Sequence, residues 1–402
     1  MESLLRGIYY HVEKHGIVCF KRDTITGKLI LLEEITTSKK VSQSCGMLVL
    51  SNTIIQFQIL YGELSTSKGW NGGELFNRVL AAYYFFILPV VSMYIRICYG
   101  KSKEIVLYIN GLLQLSNKVF WKDRTLVEHL NFAFAWVLYP SIVLAPTFLV
   151  ILMHWNNPCR STLLGSWLLS ECRSVSVELE NENTTLRFIN RAWAMLSKIF
   201  VLMVNHVILS KGCSATLFCM VVLNILCMLK LHDHLKSENP DNWSTWQATK
   251  FREIQVFALL NNEINQNALL VFTFSLILVI SLEITAFVRM EWNAENFVAL
   301  GFFSYSCFNS CFFLIIIMGG GMIAVYSTSK TLFELIKRKQ SCTGRFLNAT
   351  QRLEKRWLTK FCRSCTPLRV KLGESNFLEE LTPLNCINTA VDLTVNMLLL
   401  GT

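Results

Sequence analysis

Two apolar runs in the second half of the chain constrain its fold more than anything else. Residues 267–288 and 298–326 hold one acidic residue between them, Glu283, and no basic residue. Each is long enough for a bilayer, which takes about 20 residues as a helix. In lipid, backbone groups must be satisfied inside the segment, so such runs read as helices. Comparable runs occur at about 43–63, 78–99, 131–153 and 210–231. The region 196–231 carries two apolar stretches split by Ser210-Lys211-Gly212; the second is taken as the fourth span, with the first on the outer surface or extending the helix. Two spans here would make eight and reverse the orientation downstream. Only 16% of residues are charged, against about a quarter in soluble domains. The fold class expected is an all-α integral membrane protein, with residues 383–402 as the last of seven helices.

Basic residues set the orientation. With the N-terminus in the cytosol, the cytosolic segments are 1–42, 96–130, 230–266 and 327–382, and they hold 29 of the 38 Lys and Arg residues. The positive-inside rule therefore places the N-terminus inside and the C-terminus outside. It also explains the net charge of +10 without any nucleic acid. The domains expected are a cytosolic segment 1–42, a six-span ligand-binding bundle 43–326 with an extracellular loop 154–195, a basic cytosolic loop or anchor 327–382 and the final helix 383–402. Asn183-Thr-Thr185 falls outside and is a candidate glycosylation site. Asp23 to Lys28 reads as a turn between apolar strips. Ser51, Asn52, Gln56 and Gln58 make the first span polar, which predicts packing inside the bundle. Spacing at Phe251, Ile254, Phe257 and Ala258 predicts that the fifth helix begins well before its apolar run. Gly319-Gly320-Gly321 within the sixth allows close packing or bending.

The final helix is amphipathic in an unusual way. Asn385, Asn388, Asp392 and Asn396 recur at steps of three and four, which puts them on one side. A carboxylate in lipid is costly, so Asp392 must face protein or water. Two readings stay open: a helix lining an aqueous path, or a packed helix whose polar groups bond to its neighbours.

Seven spans with a cytosolic N-terminus reverse the arrangement of G-protein-coupled receptors. The chain resembles the insect gustatory receptor family in three places. Leu4-Leu5-Arg6-Gly7-Ile8-Tyr9-Tyr10, followed by Phe20 and Thr26-Gly27-Lys28, is similar to the start of one clade of fly taste receptors. A sixth span leading into a long basic loop is a second likeness. The third is the C-terminal helix, which in that family ends in Thr-Tyr, five hydrophobic residues and Gln-Phe. Here Thr394 matches the Thr, Val395 stands for the Tyr, Asn396 to Leu400 fill the interval, and Gly401-Thr402 stand for Gln-Phe.

The resemblance implies a homo- or heterotetramer in the plasma membrane of a sensory neuron dendrite. Four final helices would surround one cation pore, and each subunit would bind a small-molecule tastant among its earlier spans. Signatures of the sugar, carbon dioxide and fructose branches are absent, which leaves bitter compounds as the default stimulus. Pore-lining candidates are Asn385, Asn388, Asp392 and Asn396, with Leu398 or Leu399 as an apolar constriction. A ring of Asp392 carboxylates would attract cations. Ligand candidates from the outer halves of the spans are Tyr83, Tyr84, Phe86, Phe148, Glu283, Phe287, Phe302, Phe303 and Tyr305. The competing reading for these aromatics is core packing. Glu283 would meet a basic ligand nitrogen or Arg289.

No enzyme is expected: HExxH, GxSxG and GxxxxGK[ST] are all missing. No cofactor or metal is implied, and the Cys362-Arg-Ser-Cys365 pair reads as free thiols. Cys159 and Cys172 could pair if their loop is extracellular. A G-protein-coupled-type chemoreceptor is opposed by the charge bias and by Met153-His154-Trp155 at the end of span three. A small-molecule transporter is opposed by the lack of an internal repeat.

Overall fold

The computed structural model describes residues 20–23, 28–31, 72–117, 245–292, 297–342 and 349–400, with six single positions between 44 and 61. Among the described residues the chain is helical apart from two short hairpins. The elements are β1 (Phe20–Arg22), β2 (Leu29–Leu31), α1 (Gly72–Gly100), α2 (Ser102–Asn117), α3 (Thr245–Arg289), α4 (Phe297–Phe312), a π-helical segment (Phe313–Met322), α5 (Ile323–Cys342), α6 (Ala349–Ser364), β3 (Lys371–Leu372), β4 (Asn376–Phe377) and α7 (Thr382–Leu400). The third and fourth expected spans, the loop with Asn183, Phe148 and the Cys159–Cys172 pair all lie outside the described residues.

Helix α3 is the axis of the bundle. Its 45 residues pack against α1, α2, α4 and α7. The stretch Phe251–Arg289 is long and apolar enough to cross a membrane. The helix starts at Thr245, as the spacing predicts, because Phe251, Ile254 and Ala258 are buried at intervals of three and four. Contacts along α3 fix the direction of its neighbours. Tyr94 and Tyr108 meet Phe272 and Phe257, so α1 and α2 run against it. Phe251 meets Phe333 and Thr273 meets Met318, so the sixth helix is antiparallel as well. Ser281 and Thr285 meet Ala390 and Met397, so α7 runs parallel to α3.

The sixth helix is one continuous rod made of α4, the π segment and α5. The π segment contains Gly319 to Gly321 and packs against α7. Wider helical turns of this kind are rare and concentrate at functional sites. Three glycines in a row weaken the α form locally, which lets the backbone open there.

The basic segment expected as a cytosolic loop or anchor, 327–382, is largely helical among its described residues. Helix α5 runs on to Cys342, α6 follows, and β3 and β4 pair as a hairpin. The cause is an aromatic cluster. Phe251 of α3 meets Phe333 of α5 edge-on at 5.0 Å and Phe361 of α6 at 6.0 Å, while Trp357 stacks on Phe361 at 5.5 Å. The basic side chains Arg352, Arg356, Lys360 and Arg363 take the exposed face of α6. In the first span the described residues Ser44, Met47, Ser51, Ile54, Gln58 and Tyr61 are helical and exposed in the single chain, while Asn52 and Gln56 lie outside the described residues.

Two asparagine side chains hold the hairpins. The Asp23–Lys28 turn is present, with the Asp23 N–H donating to the Lys28 carbonyl at 2.8 Å. Behind it, Asn110 of α2 accepts from the Leu29 N–H at 2.8 Å and donates to the Leu29 carbonyl at 2.9 Å. Asn262 of α3 does the same for the second hairpin, accepting from the Lys371 N–H at 2.9 Å and donating to the Arg369 carbonyl at 2.8 Å. In each case a side-chain amide satisfies strand backbone that would otherwise be left unpaired. Gly373 turns the second hairpin at φ +74, which a side chain would oppose, and its N–H reaches the Gln266 carbonyl.

Candidate functional site

The final helix presents two unlike faces. Cys386, Ala390 and Thr394 are buried, and they face α3 through a ladder of small polar contacts. The Ser281 hydroxyl lies 2.9 Å from the Ala390 carbonyl and 2.8 Å from the Ile277 carbonyl, and one proton is shared between them. The Thr394 hydroxyl donates to Ala390 at 2.8 Å, with the Ser281 carbonyl at 3.4 Å. Small residues allow this close helix approach.

The opposite face is open. Asn385, Asn388, Asp392, Asn396 and Leu399 are all exposed in the single chain. Leu384, Val391 and Val395 flank them on one side and are exposed as well. Lateral bonding within the chain therefore describes Thr394, while the Asn and Asp stripe points away from the bundle. The positions 385, 388, 392, 396 and 399 are three or four apart, which keeps them on one face of the helix.

Arg289 closes the far end of this helix. Its guanidinium donates to the Leu398 carbonyl and to the Met397 carbonyl at 3.4 Å. These carbonyls belong to the last turn of α7, where no intrahelical donor remains, and a cation there complements the helix dipole.

Glu283 sits in the same layer of α3 with 1% of its surface exposed. Neither carboxyl oxygen has a hydrogen-bond partner. Ser306, Cys307 and Cys311 of α4 lie within electrostatic reach, but no donor stands at hydrogen-bonding geometry. The expected alternative, a pair with Arg289, is not formed, because that guanidinium is directed to α7.

The other end of α7 is tied to α5. The Arg369 guanidinium lies between the Tyr326 ring at 5.1 Å and the Phe377 ring at 5.2 Å. Ser329 of α5 accepts from the Leu368 N–H at 3.0 Å. With Asn262, these contacts join α3, α5 and the lead into α7. Cys362 and Cys365 are free thiols, and burial pushes the Cys365 thiol up while the nearby Arg252 opposes that shift.

No family model and no curated protein sequence matches the chain. Its structure does match solved structures. The insect olfactory receptor OR5 from Machilis hrabei superposes with a TM-score of 0.57, over 98% of this chain and 97% of that one, at 11% identity. The same receptor in complex with eugenol superposes with a TM-score of 0.54, at the same coverage and identity. The chain has the insect chemoreceptor fold.

Within the insect chemoreceptor fold, the candidate ligand residues scatter. Glu283 comes close to the part of α4 that follows Phe302, Phe303 and Tyr305. Phe302 and Phe303 are buried and meet edge-on at 5.6 Å, as core aromatics do. Tyr305 is half-buried, and so is Phe86, which meets Phe85 at 5.3 Å. Phe287 is at the exposed end of α3 against Trp292 at 4.9 Å. The side chains of Tyr83 and Tyr84 lie outside the described residues. Sequence reasoning missed Ser306, Cys307 and Cys311 as neighbours of Glu283. It also missed Arg289 as the cap of the final helix. The four-residue spacing of the two cysteines was the one available signal.

Proposed function

We propose that the chain is a chemosensory receptor and one subunit of a tetrameric, ligand-gated cation channel, with α7 of each copy lining the pore. The observation that carries this reading is the exposed polar stripe of α7. A polar stripe ending a chain this apolar needs water or a second copy of itself against it. Around a four-fold axis, Asn385, Asn388, Asp392 and Asn396 face the lumen and Asp392 forms an acidic ring. The flanking Leu384, Val391 and Val395 then meet the neighbouring subunit or lipid. Helix directions fit the seven-span topology, since α3 and α7 run one way and α1 and α4 the other.

The binding event belongs among the other helices, for a small organic ligand, as eugenol is for the olfactory receptor. A gustatory role, with bitter compounds as stimuli, follows the resemblance of the N-terminal segment and of Thr394. The protein sits in the plasma membrane as a multi-pass receptor, glycosylated at Asn183.

Two measurements on the full chain test the reading. Purified in detergent, the particle is expected to be a tetramer. An epitope placed after Thr402 is expected to be stained on intact cells. A monomeric particle, or staining only after permeabilisation, would remove the channel arrangement.

A further inference from the structure

Glu283 is not on the polar stripe of α7, yet among the described residues it is the one side chain with two buried oxygens and no hydrogen-bond partner. It is 1% exposed, and both carboxyl oxygens lack a hydrogen-bond partner. A buried carboxylate with no cation opposite it is strongly unfavourable, so such a group either takes up a proton or is completed by a charged partner. The chain does not supply that partner among the described residues. Arg289 is committed to the last carbonyls of α7. The groups facing Glu283 from α4 are a hydroxyl, Ser306, and two thiols, Cys307 and Cys311, and none of them is a cation.

We propose that Glu283 is the anchor for the ammonium group of a protonated amine ligand. The inference rests on the chemoreceptor reading and names its ligand class. Two observations favour an organic amine over a bare metal ion. The acid and the two thiols do not gather into a metal-holding group of three. The neighbouring positions of α3 are also apolar, with Ile280 and Ala286 buried in the core and Leu282 and Ile284 packed against it. An ion that keeps its water finds few oxygens here. An ammonium on an apolar body finds one carboxylate in an apolar setting, a usual division of labour in ligand sites. Ser306 is half-buried and gives the ammonium a second oxygen acceptor. The contact is a charge-assisted hydrogen bond, which is strong and directional.

The test uses the purified full chain and its melting temperature. The probes are primary amines graded from ethylamine to 2-phenylethylamine, each paired with the alcohol of the same skeleton, at neutral pH. At least one amine is expected to raise the melting temperature, and its alcohol is not. In Glu283→Gln the half-saturating concentration of that amine is expected to rise at least about tenfold. Gln keeps the volume and needs no counter-ion, so this variant is expected to fold. Glu283→Ala, in which the anchor is simply removed, is expected to lose the amine effect as well.

Equal stabilisation by amine and alcohol overturns the proposal. So does unchanged amine affinity in Glu283→Gln, or the absence of stabilisation across the series. Stabilisation by acid alone, lost in Glu283→Gln and with no amine effect, marks Glu283 as a protonated acid and overturns it too. A tetramer that conducts without amine preference removes this inference and leaves the channel reading intact. Amine binding by a particle that never conducts does the reverse.

Discussion

Asp392→Lys is expected to abolish ligand-evoked cation current while the protein still reaches the cell surface. Asp392 is exposed on the open face of α7, so the longer side chain meets no wall within its own subunit. Folding of the single chain is therefore spared. In a tetramer the change replaces four negative charges around one axis with four positive ones. A cation at the ring then meets repulsion in a narrow lumen, where the effective dielectric is lower than in bulk water. The drop in current is expected to be on the order of a hundredfold or more. Asp392→Asn keeps the shape and removes the charge, so it is expected to lower conductance and cation preference with gating retained. Currents of unchanged size and selectivity in both variants would exclude Asp392 from the permeation path.

Asn262→Leu is expected to give the largest loss of stability among single changes at the base of the bundle. The side chain is nearly buried, and its amide holds the Arg369 carbonyl and the Lys371 N–H together. Leu fills a similar volume and satisfies neither group. Each unpaired backbone group costs about 1–3 kcal/mol, so the total is about 2–4 kcal/mol where water reaches part of the site. The hairpin then loosens from α3, and with it the Arg369 guanidinium held between Tyr326 and Phe377. Asn262→Asp separates the two bonds. Its carboxylate still accepts from Lys371 but repels the Arg369 carbonyl, so an intermediate loss is expected. Thermal stability of the detergent-purified protein, read by size-exclusion profile after heating, gives the order wild type, Asp, Leu. A Leu variant as stable as wild type would mean that the hairpin does not depend on this clamp.

Much of the fold was legible from local spacing. Phe251, Ile254 and Ala258 announced that α3 starts before its apolar run, and their burial is the reason it does. The turn between Asp23 and Lys28 announced the first hairpin. In segment 327–382 the basic charge indicated a side of the membrane but not the local structure. Leu332, Phe333, Trp357 and Phe361 carry helical spacing within it, and they pack into the aromatic cluster that orders α5 and α6. The π segment had only its glycines as a signal, because its hydrogen-bond register depends on packing against α7.

The polar stripe of the last helix was legible as a stripe, and its direction was not. Periodicity places Asn385, Asn388, Asp392 and Asn396 on one side, but the contacts of Ala390 and Thr394 with Ser281 decide which side faces the bundle. Arg289 illustrates the same limit. Its partners are more than a hundred residues away in the chain, and nothing near it in sequence indicates them. Glu283 was conspicuous as an acid in an apolar run. That neither oxygen finds a partner follows only from the way α3 and α4 meet.

The most direct test of the account is cysteine substitution along α7, with a charged thiol reagent applied from outside during stimulation. Positions 385, 388, 392 and 396 are expected to react and to block the current, while position 390, packed against α3, is expected to be inert. Reaction with a helical period centred on Asp392 is the predicted result. Block at position 390 with no effect at 388, 392 and 396, or no effect at any position in a conducting receptor, would contradict a pore lined by the final helix.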